Sequence, residues 1–489
     1  MKRAVLLNVL LLALAACSFG GVSPSPAELN VRDGSVDVAL DQALVISFSG
    51  PVDQAALEKA FYVFPATEGS FESSNDGRAF TWQPAKGWAE LTQYDVLVAS
   101  LRDRQGRLVP GRRWSFLTTI TPRVVTVFDA AGAAIEQGQP LALQFNVPMD
   151  ATATTFDING AAVAPKWSAD ARSLELPTGS LPVGEATVAL TAGRDLFGHA
   201  AAAWSLKVDV EFAIHIQTTH LAYPALVQVP NDGYGARPQV GLQAASLVFE
   251  YLTEGDITRL TAIYTDVPAT VGPIRSARRI SPRLAHHYQG VLFYSGVSNA
   301  MDHFLAANPI PSVPDFGPPF YRELSRAAPN NLMLPGDGIV ALTASKHLAD
   351  APIAKGRPGL SGGEGAAGFG VAEHHSTYSY DAATGTYLKT EDGQQMVDAS
   401  LAGQPLHMFM VMVLHTHEFL VPDIESGCCT HGRDFDLDSG GAADFYYRGA
   451  HYAGTWSSPN VNSQLQFKLA DGTPLTFPAG LVWIDVVGS

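Results

Sequence analysis

Two similar stretches decide the fold of the first half of the chain: Ala43-Leu-Val-Ile-Ser-Phe-Ser-Gly-Pro-Val-Asp53 and Pro140-Leu-Ala-Leu-Gln-Phe-Asn-Val-Pro-Met-Asp150, which lie 97 positions apart. Further matches follow in the same order, as far as Trp114 in the first copy and Trp204 in the second. Each unit of about 90 residues alternates apolar and polar residues over short runs, with turns built on Asp and Gly. This pattern is typical of a β-sandwich. We therefore predict two all-β domains, at 27–120 and 121–211.

Both units resemble the bacterial Ig-like domain of surface-layer and envelope proteins. The shared features are an F-x-x-P-x-D step at 48–53 and a D-x-x-G turn at 103–106 before a final W-S-F strand at 114–116. The resemblance is close over 27–120 and looser over 121–211. It implies that this half of the chain is a spacer; the alternative is a binding module.

The N-terminus has the features of an export signal. Lys2 and Arg3 precede an apolar run that ends at Leu14, which is too short to span a bilayer. The following residues, up to Cys17, resemble a bacterial lipoprotein box, which implies a signal peptide at 1–16 and acyl chains such as palmitate on Cys17. The Pro- and Ser-rich stretch 17–26 is typical of a tether. We predict an exported protein that is lipid-anchored to a bacterial membrane, on the periplasmic or surface side of the outer membrane if the cell has two; the alternative is a chance cysteine after an apolar leader.

The composition excludes several classes of protein. Hydrophobic residues make up 46% and charged residues 16% of the 489 positions, which excludes global disorder. The net charge of −16 argues against nucleic acid as a partner. Three cysteines are too few for a disulfide-built scaffold.

The pattern changes after residue 211. Apolar runs lengthen, and Ser281-Pro282 is a typical helix start, with Ser as the N-cap and Pro in the first position. We predict an α+β domain at 212–357, a Gly-rich linker at 358–370 and a β-rich C-terminal domain at 371–489. The predicted fold is therefore multi-domain: two all-β Ig-like sandwiches, then an α+β domain and a β-rich domain.

A basic segment stands out in this acidic chain. Arg275, Arg278, Arg279 and Arg283 fall within nine residues, next to the predicted helix start. Guanidinium groups and free helix N–H groups together favour a site for phosphate, pyrophosphate or carboxylate. The alternative is that these arginines pair internally with the acidic residues at 250, 254 and 256.

Three ordered motifs around this segment resemble the YerB-like lipoproteins, a bacterial envelope family. They are R-P-Q-x-G-L at 237–242, V-x-E-x-x-x-E-G-x-I-T-R at 248–259 and V-G-P-I-R-S-A-R at 271–278. The resemblance runs from about Ala222 to the C-terminus and implies an envelope location and domains of unknown function, but no reaction. Arg279 stands where the family usually has Pro. The matched positions are Arg237, Glu250, Glu254, Thr258, Arg259, Arg275, Ser276 and Arg278.

Two of these residues are candidates for acid–base chemistry. Glu250 and Glu254 are four positions apart, which places them on one face of either a helix or a strand. Their alternative role is structural, in salt bridges with the nearby arginines. The candidate ligand-binding residues are Arg237, Arg259, Arg275, Ser276 and Arg278.

The C-terminal segment offers a possible metal set. His415 and His417, two apart on a strand, point the same way and could form a tetrahedral site with Cys429 or His431. The spacing matches no named zinc motif, so we predict no required cofactor. Cys428 and Cys429 could instead form a disulfide with each other, or lie in a loop as ordinary thiols beside surface histidines.

No complete set of nucleophile, base and orienting group is visible, so binding is favoured over catalysis. We predict a membrane-anchored lipoprotein that binds an anionic envelope component, either a glycan, a lipid-linked precursor or a peptide, through the arginines. One alternative is a hydrolase or phosphoryl-type transferase that acts on envelope polymer. The other is a purely structural partner of an envelope protein.

Overall fold

The computed structural model describes residues 24–128, 134–179, 181–233, 235–346, 348, 352–422 and 429–489. The predicted signal peptide, Cys17 and Cys428 lie outside these residues. Among the helices of the described part, none is both long and apolar enough to cross a membrane.

The first repeat is built from short strands and one short helix. These are β1 (Glu28–Leu29), β2 (Ser35–Val38), β3 (Leu44–Ser47), α1 (Gln54–Ala60), β4 (Phe61–Phe64), β5 (Gly69–Ser73), β6 (Ala79–Pro84), β7 (Gln93–Val98), β8 (Leu101–Arg102), β9 (Leu108–Val109) and β10 (Arg112–Thr118). Two four-stranded sheets, β1-β3-β6-β5 and β2-β10-β7-β4, share one apolar core. Leu44 and Ile46 of β3 are buried while Ser47 is exposed, because side chains alternate between the two faces of a strand.

The second repeat also has two sheets around one core. Its strands are β11 (Val124–Phe128), β12 (Ala134–Glu136), β13 (Leu141–Phe145), β14 (Thr155–Ile158), β15 (Ala161–Val163), β16 (Lys166–Trp167), β17 (Ser173–Leu176), β18 (Gly184–Ala192) and β19 (Trp204–Glu211). The sheets are β11-β13-β17-β16 and β12-β19-β18-β14-β15. The repeated sequence stretches form β3 and β13, and each of these is the second strand of a four-stranded sheet.

A histidine joins the two repeats. The Nε2 atom of His199, in the second repeat, lies 2.6 Å from Oδ1 of Asp37 in the first, and its Nδ1 atom lies 2.7 Å from Oδ2 of Asp195. A carboxylate therefore lies beside each ring nitrogen, and two neighbouring negative charges favour the charged form of the ring. The bonds to Asp37 and Asp195 raise the pKa of His199 above its ordinary value.

This geometry predicts a pH-dependent junction. A raised histidine pKa gives stability that is fully present below the unfolded value, about 6.5, and is lost as the pH rises through the folded value. We expect His199→Gln to lower the melting temperature of the repeats more at pH 5.5 than at pH 9, as measured by calorimetry. His303→Gln, on an exposed helical position, is the control, and an unchanged difference for His199→Gln across that range would contradict the prediction.

The rest of the chain, which we call the head (residues 218–489), is one structural unit. Its first part contains β20 (Thr218–Pro230), β21 (Leu247–Leu252), β22 (Thr258–Pro268), β23 (Thr270–Val271), α2 (Ile280–His287), β24 (Val291–Tyr294), α3 (Asn299–Ala307), β25 (Ser312–Pro314), β26 (Tyr321–Arg322), β27 (Leu332–Pro335) and α4 (Gly336–Ala344). Its second part contains β28 (Glu364–Gly365), β29 (Gly368–Val371), β30 (Ser376–Asp381), β31 (Thr386–Glu391), β32 (Gln394–Gln395), β33 (Val397–Asp398), β34 (Gln404–Pro405), β35 (Met410–Thr416), β36 (Glu418–Val421), β37 (Gly432–Phe435), β38 (Gly440–Tyr447), β39 (Ala450–Ser457), β40 (Gln466–Leu469) and β41 (Val482–Gly488). Three-residue 3-10 helices lie at Leu242–Ala244, Ala372–His374 and Ala399–Leu401.

One eleven-stranded sheet crosses the predicted division between 212–357 and 371–489. Its order is β25-β24-β20-β22-β21-β41-β35-β38-β39-β28, with β40 also paired to β39. The final strand β41 lies between β21 and β35 and runs parallel to both. The predicted linker 358–370 contributes β28 to this sheet, so its Gly-rich composition does not keep it out of regular structure.

Both faces of the central strands are covered. Every residue of β21 is buried, which explains its nearly continuous apolar sequence. α2 packs on one face through Ile280 and Leu284, and α4 packs on the other through Ile339. The structure starts α2 at Ile280, one residue before the predicted N-cap.

Candidate functional site

Two carboxylates interrupt the apolar centre of the sheet. Glu250 of β21 lies opposite Asp485 of β41 in the parallel register, and both side chains are fully buried. Two neighbouring buried carboxylates are costly unless positive charges and hydrogen bonds compensate them.

Lys389 of β31 supplies the first compensating charge. Its Nζ atom contacts Oε2 of Glu250 and lies 2.7 Å from Oε2 of Glu391. The side chain is fully buried, with Nζ 4.7 Å from the centre of the Trp483 ring. Burial alone would lower the pKa of Lys389, but the charges of Glu250, Glu391 and Asp485 raise it above its ordinary value. The lysine is therefore charged inside the head.

His374 is the second group that compensates the buried carboxylates. Its Nδ1 atom lies 2.9 Å from Oδ1 of Asp485, and its Nε2 atom lies 3.2 Å from the carbonyl oxygen of Val486. A carbonyl only accepts, so Nε2 is protonated. Burial acts to lower the pKa of His374, but the bond to Asp485 and the charges of Glu250 and Asp485 raise it. Tyr378 donates its hydroxyl proton to the other oxygen of Asp485 at 2.8 Å.

Asn231 connects the sequence motifs to this cluster. Its Nδ2 atom is within hydrogen-bonding distance of Glu250 (3.1 Å), Thr258 (2.9 Å) and Glu391 (2.7 Å). Its Oδ1 atom accepts from Nε2 of Gln239 at 2.9 Å. We call the residues joined in this way the polar cluster: Asn231, Glu250, Thr258, His374, Tyr378, Lys389, Glu391, Trp483 and Asp485.

Two of the predicted arginines are engaged with acidic groups of the head. Arg278 forms a buried two-pronged ion pair with Glu254, with N–O distances of 2.6 and 3.0 Å. Arg237 contacts the carboxylate of Asp392 and donates to the carbonyl oxygen of Glu391 at 2.9 Å. These contacts favour the internal-pairing alternative over an open anion site for both residues.

The other basic residues are spread over several places. Arg279 lies over the ring of Phe304 at 4.9 Å, and Arg283 contacts the carboxylate of Asp434. Arg259 is 3% exposed and Ser276 fully buried. Arg275 and Arg237 are partly exposed residues, whereas the other three members of the predicted ligand-binding set are buried.

Three side chains of the polar cluster place possible metal-ligand atoms close together. Within the described residues, ligand atoms of Glu250, His374 and Asp485 lie within 4.8 Å of one another. However, the same oxygen of Glu250 already contacts Nζ of Lys389 and accepts a hydrogen bond from the indole N–H of Trp483 at 2.9 Å. Asp485 likewise accepts a hydrogen bond from Tyr378. The arrangement is therefore that of a charge-compensated ion cluster.

The predicted metal set does not come together as expected. The Nε2 atom of His415 lies 3.0 Å from Oδ2 of Asp444, while the ring of His417 packs against Phe419. His431 is hydrogen-bonded to the neighbouring Thr430. Cys429 is disulfide-bonded, so it offers no thiolate to a metal.

Sequence reasoning missed the partners from the second part of the head. Asp485 carries a usable signal, because it is a lone charge in the apolar run Leu481–Val487. Lys389 carries none, because it stands in the mostly polar stretch Lys389–Glu391, where nothing in the sequence indicates a buried lysine.

Comparison with domain families agrees with this layout. Residues 215–349 match a family described as "Protein of unknown function (DUF3048) N-terminal domain", and residues 367–484 match the C-terminal domain of the same family. Residues 22–119 match the bacterial Ig-like domain. The matches to the two DUF3048 domains together cover about half of the chain.

Three individual proteins are similar to parts of the chain. The chain is 28% identical over 273 residues to the "Putative lipoprotein YerB" of Bacillus subtilis (strain 168), covering 53% of this chain and 80% of that protein. The crystal structure of Bacillus subtilis YerB is 26% identical, covers 54% of this chain and 90% of that one, and has a TM-score of 0.45. The crystal structure of the N-terminal part of the bacterial S-layer protein SbsC is 13% identical to this chain. The match covers 39% of this chain and 44% of that one, with a TM-score of 0.17. The matches to the two DUF3048 domains show that the chain belongs to the YerB-like family, and it carries a bacterial Ig-like domain ahead of the two family domains.

Proposed function

We propose that this protein is a lipid-anchored structural component of the cell envelope. Its two repeats (27–211) form a stalk in which the second repeat, like the first, is an Ig-like spacer, and the stalk holds the head away from the membrane. The head acts as a rigid partner of another envelope protein and not as an enzyme. The lipoprotein name of the relative and the lipoprotein box ending at Cys17 support the anchor.

The observation that carries the structural role is the closure of the polar cluster. Glu250 is fully buried, and both of its oxygens have partners in Lys389, Trp483 and Asn231. A general acid or base must reach its substrate. Because Lys389 and Trp483 come from the second part of the head, the cluster joins the two family domains, and this role suffices to explain the charged motif residues.

Contacts between stalk and head support the spacer role. Nη1 of Arg448 in the head lies 2.7 Å from Oδ1 of Asp209, and Nε of Arg357 lies 3.3 Å from Oε1 of Glu211. Both carboxylates belong to β19, the last strand of the stalk. Gln137 of the second repeat also donates to the carbonyl oxygen of Ala383 in the head at 3.3 Å.

A protein partner fits the surface of the head better than an anionic polymer does. Arg237 and Arg278, two of the predicted anion ligands, already hold carboxylates. In contrast, the segments on either side of β26 expose large apolar side chains, with Phe316 at 91% and Leu324 at 90%. Contiguous exposed apolar surface marks protein contacts, and we take Phe316 and Leu324 as the candidate contact with a partner.

Acylation tests the anchor. When the full-length chain is produced in bacteria fed with radiolabelled palmitate, we expect the wild type to carry label and to sediment with membranes. Cys17→Ser should lose the label and appear in the soluble fraction, because stable anchoring needs the acyl chains. Cys429→Ser is the matched control and should keep the label; a labelled Cys17→Ser protein would refute the anchor.

A further inference from the structure

The first repeat has an unpaired sheet edge that lies beside an open groove. β5 is the last strand of the sheet β1-β3-β6-β5, and β4 is the last strand of the other sheet. In the described part of the chain, β5 pairs with β6 alone and β4 pairs with β7 alone. The groove between these two edges is lined by the partly exposed side chains of Phe61, Val63 and Phe71 and by the buried ring of Trp82.

The backbone of β5 has hydrogen-bonding groups on its open side. The amide of Ser74 donates to the carbonyl oxygen of Ala79 at 2.8 Å, so the backbone of residue 74 faces β6. In an antiparallel pair, every second residue forms such bonds to the neighbouring strand. The residues between them therefore direct their N–H and C=O groups outward, and in β5 these are Gly69, Phe71 and Ser73.

The corresponding edge of the second repeat is protected. Edge strands are normally kept very short or carry lysine, proline or a bulge, which prevents pairing with other chains. β16, the last strand of the sheet β11-β13-β17-β16, has two residues, of which one is Lys166. β5 has five residues, without lysine or proline, and pairs with β6 without a register shift. The first repeat therefore leaves open an edge that the second repeat protects.

The surroundings of the open edge are acidic. Glu72 lies in β5, Glu68 directly precedes it, and Glu58 of α1 lines the groove; all three residues are exposed. β5 and β6 contain neither lysine nor arginine. A second copy of the chain would bring the same negative charges to this edge, and like charges oppose association. Complementary charge instead favours a strand that carries basic residues.

We propose that the first repeat binds an extended, basic segment of another protein as an additional strand beside β5. The outward N–H and C=O groups of β5 supply main-chain hydrogen bonds, as in other cases of strand addition to a sheet edge. Side chains alternate along a strand, so every second side chain of the segment enters the groove and is apolar. The others are basic and face Glu68 and Glu72. This binding role is additional to the spacer role of the stalk and does not depend on the head.

A labelled synthetic peptide tests the proposal. The probe has about seven residues, a usual strand length, in which lysine and valine alternate. Its fluorescence anisotropy in the presence of the purified chain measures binding. We expect saturable binding of this peptide and no binding of a glutamate–valine peptide of the same length. Equal binding of the two peptides would overturn the proposal, as would failure of the lysine–valine peptide to bind.

A proline in β5 tests the main-chain contacts. Ser73→Pro removes an outward N–H group but no hydrogen bond to β6, so it should weaken binding of the lysine–valine peptide at least about 10-fold. Ser73→Ala is the matched control and should bind like the wild type. If Ser73→Pro lowers the melting temperature, a lysine–valine peptide with methylated backbone nitrogens replaces the variant and should bind at least about 10-fold more weakly to the wild type. Unchanged affinity in this comparison would contradict strand addition.

Charge reversal tests the choice of a basic partner. The double variant Glu68→Lys with Glu72→Lys should prefer the glutamate–valine peptide to the lysine–valine peptide. The matched control is Glu175→Lys with Glu185→Lys, which reverses two exposed charges in the second repeat. It should keep the preference of the wild type. The same change of preference in both double variants would reveal an effect of net charge alone and would refute a site at β5.

Discussion

Replacing Lys389 with methionine should lower the free energy of unfolding of the head by about 3–5 kcal/mol, the usual cost of removing one member of a buried ion pair. Methionine matches the length of the side chain but leaves Glu250 and Glu391 without the ammonium group that contacts both. Since both carboxylates are at most 3% exposed, water cannot replace that charge. Denaturant unfolding of the chain without its first 17 residues measures the loss.

Lys468→Met is the matched control. Lys468 lies on β40 in the same sheet but is exposed, so the same substitution should change the stability by no more than about 0.5 kcal/mol. A Lys389→Met protein as stable as this control would show that the cluster does not hold the head together.

The sequence identified one side of the polar cluster but not the other. Its motifs contain Glu250 and Thr258, which meet at Asn231. Lys389 is 139 positions and Trp483 is 233 positions away from Glu250. Local patterns report which face of a strand is buried, but they carry no information on which distant strand lies beside it.

For the same reason, the strand pairing of the stalk is easier to predict from sequence than that of the head. The pairing within each repeat is local, and alternation in β3 and β13 was enough to predict β-structure there. In the head, composition places a linker at 358–370, although β28 from that stretch joins the large sheet. The parallel pairing of β41 with both β21 and β35 joins residues far apart in the chain and could not be read from spacing.

The central position of β41 makes the last residues of the chain essential for the head. Five consecutive residues, Val482–Val486, are fully buried between β21 and β35. Burial of one large apolar side chain contributes about 1.5–3 kcal/mol, so losing the apolar residues of this strand removes an amount comparable with the whole net stability of a domain, about 5–15 kcal/mol.

A chain that ends at Leu481 should therefore have an unfolded head, because Glu250 also loses its neighbours Trp483 and Asp485, and β21 and β35 are left with unpaired edges. The stalk has its own cores and should stay folded. Limited trypsin digestion with mass spectrometry should leave a protected fragment close to residues 27–211 and degrade the remainder.

Deletion of Ser489 alone, which removes one hydrogen bond to Thr416, is the control and should cost at most about 1.5 kcal/mol. A protease-resistant head in the chain that ends at Leu481 would mean that the first part of the head folds without β41, and that the shared sheet is not what unites the two family domains.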